Sequence, residues 1–430
     1  MMQATDRLIC GFSYVVVLVL LMMWSGYAEA VPLFARKYGL TCAACHAAFP
    51  RLNQFGISFR DNNSRLPNWK ETTISGGDEL LAIPDQVPIA FRAQGYVQAR
   101  DAKFIDPVSG ETQNANTDFQ SPYLIKMISS APLSDYLTYY FYGIFAERGG
   151  NGEVLIEDAW FRHSNIFNTG TAFTLGQYQL TDLMFPRENR LPLQDYLVYR
   201  FADITYDRGV QFDRGFGPVS ASLGFVNGNG INANFDLNSP GLQRPDALFD
   251  NNNSKTVYGR LGTNLGPVNV GLFGADGDQQ NATGPAGTES GNRKTGKRVL
   301  GLDASANFAG KWYWYAQYLW NSWDGFLEPG RTENWAGGFA GLDYIYNDRW
   351  VFSGLYNYAD ANDLDGSDTI YEGIDVNSLT FTTSYYFMRN VKGIAELNID
   401  LLEARPQTGT FFTGHLTEEN YILFGFDAAF

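Results

Sequence analysis

Apolar and polar residues alternate with a period of two from about residue 88 to the last residue of the chain. In the stretch 89–100 the odd positions are apolar or small, and the even positions carry Arg92, Gln94, Gln98 and Arg100. A period of two is typical of a β-strand whose two faces meet different surroundings. Strands of a transmembrane β-barrel show it because one face meets lipid and the other a wet lumen. The alternation therefore predicts membrane-spanning strands.

The pattern places sixteen strands, an even number, as bacterial outer-membrane barrels have. The predicted strands lie near 88–100, 118–131, 136–148, 152–164, 170–180, 208–214, 219–228, 255–263, 268–276, 297–307, 312–324, 333–345, 350–360, 374–388, 393–404 and 419–430. Short turns such as 132–135 alternate with mostly long loops such as 181–207, which is the layout of these barrels. The prediction is an all-β fold, a 16-stranded antiparallel transmembrane β-barrel over 88–430. A soluble β-sandwich or propeller is the alternative.

The last ten residues of the chain supply a closing strand for this barrel. Their apolar side chains share one face, and they are Ile422, Phe424, Phe426, Ala428 and Phe430. An outward apolar face that ends on an aromatic residue looks like the C-terminal signal of bacterial outer-membrane proteins. The 25 Tyr, 32 Phe and 45 Gly residues also favour extended β structure.

Residues 1–30 have the three parts of a secretory signal peptide. They combine Arg7, an apolar run over 14–24 and the small-residue sequence Ala28-Glu29-Ala30. The apolar run is too short to span a bilayer comfortably as a helix. We therefore expect cleavage after Ala30 and a mature protein that begins at Val31, outside the cytoplasm.

The segment Cys42-Ala43-Ala44-Cys45-His46 is a C-x-x-C-H motif, the attachment signature of c-type haem. Two thiols at this spacing can bind the two vinyl groups of one haem c, and His46 then follows as an axial ligand of the iron. Cys10 leaves with the signal peptide, so Cys42 and Cys45 are the remaining cysteines. The motif predicts one covalently attached haem. The alternative is a redox or disulfide CxxC with a chance histidine.

The haem motif lies in a predicted segment over 31–76, which a linker over 77–87 joins to the barrel. Pro50 suits the first turn of a helix, and an apolar helical face follows, made by Phe49, Leu52, Phe55 and Phe59. We expect this face to pack on the haem, with Gly56 allowing close approach; packing on any other apolar surface is the alternative. About 45 residues bury a haem poorly on their own. We therefore predict that this α-helical segment acts as a plug on the periplasmic side of the barrel or in its lumen.

The sequence leaves three possibilities for the sixth ligand of the iron, namely Met184, Met388 or neither of them. Met184 lies in the long connection 181–207, which folds inward if it behaves like the loops of porins. Met388 follows alternate side chains that are expected to face the lumen, and it lies near a short turn.

Adjacent carboxylates at Glu157-Asp158 and at 418–419 are expected mainly on solvated faces, with iron binding as the alternative.

Other classes of function find little support in the sequence. The net charge of −15 and the lack of a basic stripe argue against nucleic acid as a partner. No phosphate-binding loop, no metal cluster and no carboxylate pair at an informative spacing indicates catalysis by side chains. The supported chemistry is one-electron transfer at haem.

Several motifs together resemble the fused outer-membrane monohaem cytochrome–porins, a family that includes the iron oxidases of iron-oxidising bacteria. The resemblance is densest at Phe34-Ala35-Arg36-Lys37-Tyr38-Gly39, at Cys42-Ala43-Ala44-Cys45-His46, at Phe49-Pro50, Leu52-Asn53, Phe55-Gly56 and Phe59-Arg60, at Gly176-Gln177, and over Asp182–Leu191. It implies a small cytochrome held in or under a sixteen-stranded porin.

The resemblance also implies a function and partners. An electron would pass from extracellular Fe²⁺ to a periplasmic cytochrome or other electron carrier. If the protein is an enzyme, it would be a ferrous iron:cytochrome oxidoreductase. The expected location is the outer membrane of a Gram-negative bacterium, in contact with its lipid. Two alternatives are a conduit for a non-iron donor or acceptor, and a solute porin with a structural cytochrome plug.

Overall fold

The computed structural model describes residues 33–70, 88–105, 112–147, 150–228, 255–282, 294–367, 374–402 and 417–430, with the single positions 78, 80, 81, 83, 369 and 371. The predicted signal peptide and most of the predicted linker lie outside the described residues. Among the residues described, no helix is long and apolar enough to cross a bilayer.

Sixteen antiparallel strands form one closed barrel, which confirms the predicted fold class. They are β3 (Ile89–Ile105), β4 (Thr112–Pro132), β5 (Leu137–Glu147), β6 (Gly150–Ile166), β7 (Thr171–Gln179), β8 (Tyr206–Phe216), β9 (Val219–Val226), β10 (Thr256–Leu265), β11 (Val268–Gln280), β12 (Lys294–Phe308), β13 (Trp312–Asp324), β14 (Thr332–Ile345), β15 (Trp350–Asp360), β16 (Val376–Met388), β17 (Val391–Asp400) and β18 (Thr417–Ala429). Several strands are longer than predicted, because pairing continues into polar stretches such as Thr112–Asp118 that lack clear alternation.

The barrel closes where its last strand pairs with its first. Tyr421 lies opposite Arg100, and the register continues to Ala429 opposite Arg92. Phe91 and Phe430 then exchange two backbone hydrogen bonds of 2.7 and 2.9 Å. The seam leaves no unpaired edge between β18 and β3, as a membrane barrel requires.

The two faces of the barrel wall differ as the alternation predicts. Large apolar side chains point outward on every side of the barrel, among them Leu223, Leu272, Leu300, Trp320, Phe381 and Phe424. Polar side chains such as Lys126, Gln317 and Thr380 are buried inside. An apolar exterior around a polar interior is the arrangement that lipid stabilises.

The connections alternate in length between the two ends of the barrel. One end carries short turns, for example between Pro132 and Leu137 and between Met388 and Val391. The other end, the outer end, carries the longer connections, including those between β9 and β10 and between β17 and β18. Short turns face the periplasm in outer-membrane barrels, so the short-turn end is the periplasmic end.

The connection between β7 and β8 folds into the lumen, as predicted for 181–207. It contains two 3₁₀ turns, Leu180–Leu183 and Arg187–Asn189, and the short helix Leu197–Phe201. Tyr196 stacks on Phe339 of the opposite wall with ring centroids 4.1 Å apart, and Glu396 of β17 accepts hydrogen bonds from the backbone of Leu193 and Gln194. This inward loop fills much of the lumen with an aromatic cluster.

The N-terminal segment sits in the mouth of the barrel at the short-turn end. It consists of helix α1 (Leu33–Tyr38), helix α2 (Cys42–Cys45), a hairpin of β1 (His46–Ala48) and β2 (Arg51–Leu52), and helix α3 (Gln54–Asp61). Thr138 of β5 donates a hydrogen bond of 2.8 Å to the carbonyl of Asn63. Tyr386 and Lys392 both donate to the carbonyl of Phe49, at 2.9 and 3.0 Å. The barrel wall therefore holds the small segment that the sequence predicts as a plug.

Candidate haem site

Helix α2 is a single turn that carries both cysteines of the C-x-x-C-H motif. Residues three positions apart lie on one face of a helix, so the turn points both sulfur atoms the same way. Both thiols are free and partly buried. Burial raises the pKa of Cys42 and of Cys45, and the positive charge of Arg389 opposes this rise at Cys42. Both thiols are therefore neutral and lie on one face of the turn.

His46 is fixed by the turn that follows it. Its Nδ1 lies 2.9 Å from the carbonyl oxygen of Pro50. Because a carbonyl can only accept, Nδ1 carries the proton and the lone pair of Nε2 is available to a metal. Burial lowers the pKa of His46 and keeps the imidazole neutral. A neutral histidine with this hydrogen bond is the usual form of a metal-ligating imidazole.

One cavity of about 320 Å³ lies between the N-terminal segment and the barrel wall. Cys42, Cys45 and His46 all line it, which brings the three residues of the motif to one space. This size falls at the lower end of pockets that bind cofactors. The donor set and the shared cavity fit a covalently attached haem.

Three of the four predicted packing residues line this cavity. Phe49, Leu52 and Phe59 do so, and Phe59 also contacts Phe34 edge to face at 5.2 Å. Phe55 is 43% exposed and stacks on Phe59 instead of facing the cavity. The prediction of a helix that starts at Pro50 was wrong, because His46–Ala48 and Arg51–Leu52 form a hairpin and the helix begins at Gln54. The four apolar residues therefore do not share one helical face.

Helix α3 is locked to the CxxC turn by two residues. Asn53 caps the helix by accepting a hydrogen bond of 2.9 Å from the backbone of Gly56, and its amide donates 3.0 Å to the carbonyl of Ala44. A Cβ at Gly56 would lie 2.2 Å from the carbonyl oxygen of Cys45. The close approach predicted for Gly56 is thus an approach to the backbone of Cys45.

The opposite wall of the cavity comes from the barrel and the inward loop. It is aromatic on the barrel side, where Tyr140, Tyr142, Trp160 and Tyr206 line the space. Sequence reasoning missed these residues, because the choice of strands that meet the N-terminal segment depends on contacts between distant parts of the chain.

Glu188 of the inward loop holds a charged network at the edge of the cavity. Lys126 donates to it at 3.0 Å, Tyr142 at 2.8 Å, and Arg92 lies 3.4 Å away. Burial favours the neutral carboxyl, but Lys126 and Arg92 outweigh it and hold the pKa of Glu188 well below its ordinary value. Glu188 was not predicted as a site residue. The sequence feature that pointed to it is the family resemblance, which includes the stretch Asp182–Leu191.

The carboxylates of Glu157 and Asp158 are both buried, so the expectation of a solvated face was wrong for this pair. The cause is a β-bulge between β5 and β6. Tyr142 pairs with Asp158 and Gly143 with Ile156, so Glu157 is the extra residue and both side chains point inward. Asp158 lines the cavity, and Glu157 accepts a hydrogen bond of 3.3 Å from Lys126. No group of three or more possible metal-binding side chains occurs among the described residues.

The structure places both predicted methionine ligands away from this cavity. Met184 is buried in the aromatic cluster of the inward loop, where Gln317 donates a hydrogen bond to its sulfur. Met388 ends β16 and is 53% exposed. Neither lines the cavity of about 320 Å³. The sixth ligand stays a prediction without support from the geometry.

No protein-family model and no curated protein sequence matches this chain. Solved structures of outer-membrane channels are similar in fold. The outer-membrane channel DcaP of Acinetobacter baumannii has a TM-score of 0.54 at 10% identity and covers 80% of this chain and 97% of its own. OmpT of Vibrio cholerae reaches 0.51 at 11% identity, and an anion-selective porin from Comamonas acidovorans 0.52 at 12%; each covers 80% of this chain and 99% of its own.

Each of these structures matches 80% of this chain. At such low identity they show the fold alone. Together with the apolar exterior and the alternating connections, they identify a porin-like barrel of the Gram-negative outer membrane, in contact with its lipid.

Proposed function

We propose that this protein transfers single electrons through the outer membrane at one haem c. The haem would be bound through thioethers to Cys42 and Cys45, with His46 as an axial ligand of the iron. When bound, it supplies reversible one-electron chemistry. The observation that carries the proposal is the shared cavity, which two neutral thiols and a neutral imidazole with an available Nε2 all line.

The rest of the chain supplies the setting for this chemistry. The barrel crosses the insulating membrane, and the inward loop and the N-terminal segment keep the cavity away from bulk lipid. Aromatic side chains on the wall exclude water, which favours a well-defined haem environment. The network at Glu188 fixes the loop that closes one side.

The charge of the outer end supports extracellular Fe²⁺ as the electron donor. Carboxylates are frequent among the described residues of the outer connections and the adjoining strand ends, where the cations include Lys255, Lys294, Lys297, Arg298 and Arg331. These carboxylates include Asp276, Asp278, Asp324, Glu328, Asp360, Asp363, Asp365, Asp375 and Asp400. Such a mouth attracts cations by long-range steering, and a periplasmic cytochrome or other carrier would accept the electron at the other end.

The test is a visible spectrum of the protein expressed with a c-type haem attachment system. We expect covalent haem in the native protein and its loss in the double variant Cys42→Ala/Cys45→Ala, whose barrel still shows heat-modifiable migration on a gel. Addition of Fe²⁺ should then reduce the haem. Native protein without covalent haem would overturn the proposal, whereas haem that other donors reduce but Fe²⁺ does not would overturn the iron assignment.

A second candidate function is solute passage. A polar cavity of about 520 Å³ runs along β3, β4, β17 and β18 beside the inward loop, and Arg100, Arg190 and Tyr123 line it. It shares Arg92 and Glu188 with the cavity of the haem motif. Stable ion conductance in planar bilayers by protein that carries no haem would favour a porin with a structural plug.

A further inference from the structure

The N-terminal segment has a charge opposite to that of the whole chain. Residues 33–70 contain six cations, Arg36, Lys37, Arg51, Arg60, Arg65 and Lys70, and one carboxylate, Asp61, whereas the chain as a whole has a net charge of −15. This concentration of positive charge in a short stretch of an acidic protein is not needed for membrane insertion of the barrel.

These cations occupy the end of the barrel that carries the short turns. Arg65 pairs with Asp135 in the turn after β4 at 2.5 Å, and Arg389 lies in the turn after β16. We call the group of Arg36, Lys37, Arg60, Arg65, Lys70 and Arg389 the basic turn-end face. Arg51 is not part of it, because that side chain is buried against Asp343.

The basic turn-end face borders the cavity that the CxxCH motif lines. Arg60 lines the rim of that cavity and its side chain is 50% exposed. Arg389 is 45% exposed and close enough to Cys42 to influence the thiol. The positive charge therefore surrounds the place where the redox group is closest to the periplasm.

Three cations of this face form ion pairs with nearby carboxylates. Asp61, Asp135 and Asp348 pair with Arg60, Arg65 and Arg389 respectively. Arg36 and Lys70 are also exposed. Since all these groups lie at a surface, their field extends over about one Debye length, ~8 to 10 Å at physiological salt.

We propose that the basic turn-end face docks a soluble periplasmic electron carrier through an acidic patch around that carrier's own redox centre. The proposal rests on the proposed function. Docking would place the carrier's redox centre beside the site where Cys42, Cys45 and His46 would hold a haem. A reduced haem there would supply the one electron that the oxidised carrier takes up. Complementary charge of this kind raises the rate of encounter and selects the partner.

An anionic lipid headgroup is the other chemistry that could meet these cations, and the geometry disfavours it. At the short-turn end the lipid-facing positions carry aromatic pairs, such as Phe91 with Phe430 and Trp312 with Tyr344. Aromatic side chains are the usual girdle at the membrane interface. Apart from Arg389, which lies in a barrel turn, the basic face belongs instead to the segment seated in the barrel mouth.

The experiment measures binding in nanodiscs made of zwitterionic lipid. The probes are an acidic blue-copper protein and a basic mitochondrial-type cytochrome c. We expect the acidic protein to bind at the basic turn-end face, weakening as salt rises from about 0.02 M to about 0.3 M. The basic protein can meet the acidic outer end instead, so its binding should not change when the basic face is altered. In the triple variant Arg60→Gln/Lys70→Gln/Arg389→Gln, affinity for the acidic protein at low salt should fall about tenfold or more. The control is Arg298→Gln, an exposed arginine that pairs with Asp276 at the outer end, and it should bind like the native protein.

No salt-dependent binding of the acidic protein, equal weakening in the control, or an unchanged triple variant would overturn the proposal. So would binding to vesicles with anionic lipid but not to the acidic protein. The double variant Cys42→Ala/Cys45→Ala separates the two proposals, since it lacks covalent haem but keeps the basic face. If it binds the acidic protein, docking stands even where electron transfer fails; if haem reduction succeeds without charge-dependent binding, only the docking proposal fails.

Discussion

At the scale of single residues, Gly56 shows how closely the site is built. Its missing side chain lets helix α3 approach the carbonyl of Cys45, where a Cβ would lie 2.2 Å from the oxygen. We predict that Gly56→Ala separates α3 from the CxxC turn and costs about 1 to 3 kcal/mol of local stability. The haem content of the purified protein, measured by its pyridine haemochrome, should fall.

The exposed Ser58 on the same helix provides the control. Ser58→Ala adds no clash and should leave haem content unchanged, because its side chain faces solvent. If Gly56→Ala keeps its full haem content, haem attachment does not require the close approach of α3 to the CxxC turn, and the prediction is wrong.

The sequence is enough to predict the cysteines and the histidine of the candidate site, but not the other residues that line its cavity. Cys42, Cys45 and His46 are adjacent in the chain, so a local motif is enough to predict them. The carbonyl of Pro50 that fixes the imidazole is also local, yet a hydrogen bond to backbone leaves no signature in residue type. Trp160 reaches the cavity only through the closed barrel, and no local pattern reports that contact.

At the scale of elements, strand faces follow from alternation until the register changes. Ile422, Phe424 and Phe426 point outward as predicted, because β17, β18 and β3 pair without interruption there. The bulge in β6 turns both Glu157 and Asp158 inward, where uninterrupted alternation would separate them. A bulge depends on the partner strand, so one strand's sequence does not predict it.

The inward loop is held in shape by a buried ion pair that can be tested. Asp195 is 4% exposed and accepts from Nε of Arg187 at 2.9 and 3.1 Å, with Arg190 nearby. We predict that Asp195→Asn leaves two buried guanidinium groups short of a counter-charge and costs about 3 to 5 kcal/mol. Limited proteolysis within 181–207 should become faster.

The pH dependence of this loop has a definite sign. Burial favours the neutral carboxyl, but Arg190 and Arg187 hold the pKa of Asp195 below its ordinary value. A depressed pKa stabilises the folded loop above the pKa of the unfolded chain, and that stability is lost as pH falls through the folded value. The resistance of the native loop to proteolysis should therefore persist at neutral pH and decline in strong acid. The decline should be smaller in Asp195→Asn, where Glu188 of the same loop still has a lowered pKa; an equal decline in both proteins would contradict the assignment.

At the scale of the whole molecule, the plug and the barrel act as one unit. Arg51 of the N-terminal segment pairs with Asp343 of β14, and its guanidinium lies 4.0 Å from the centroid of the Tyr313 ring. We predict that Arg51→Gln loosens the plug and increases ion conductance in planar bilayers several-fold, because this contact ties the segment to the wall.

Lys311→Gln is the matched control for conductance, since Lys311 is an exposed cation in the turn between β12 and β13. It should conduct like the native protein. Native conductance in Arg51→Gln would show that other contacts, such as those to the carbonyl of Phe49, are sufficient to keep the segment in place.

Closure of the barrel between β18 and β3 constrains the order in which the protein can be assembled. Ala90, Phe91 and Arg92 at the start of the barrel and Ala429 at its end all line the cavity of the haem motif. The wall of the site is therefore complete only after β18 has paired with β3. The C-x-x-C-H motif precedes the barrel strands in the chain. If its thiols hold a haem as proposed, attachment would have to come before barrel closure encloses the site.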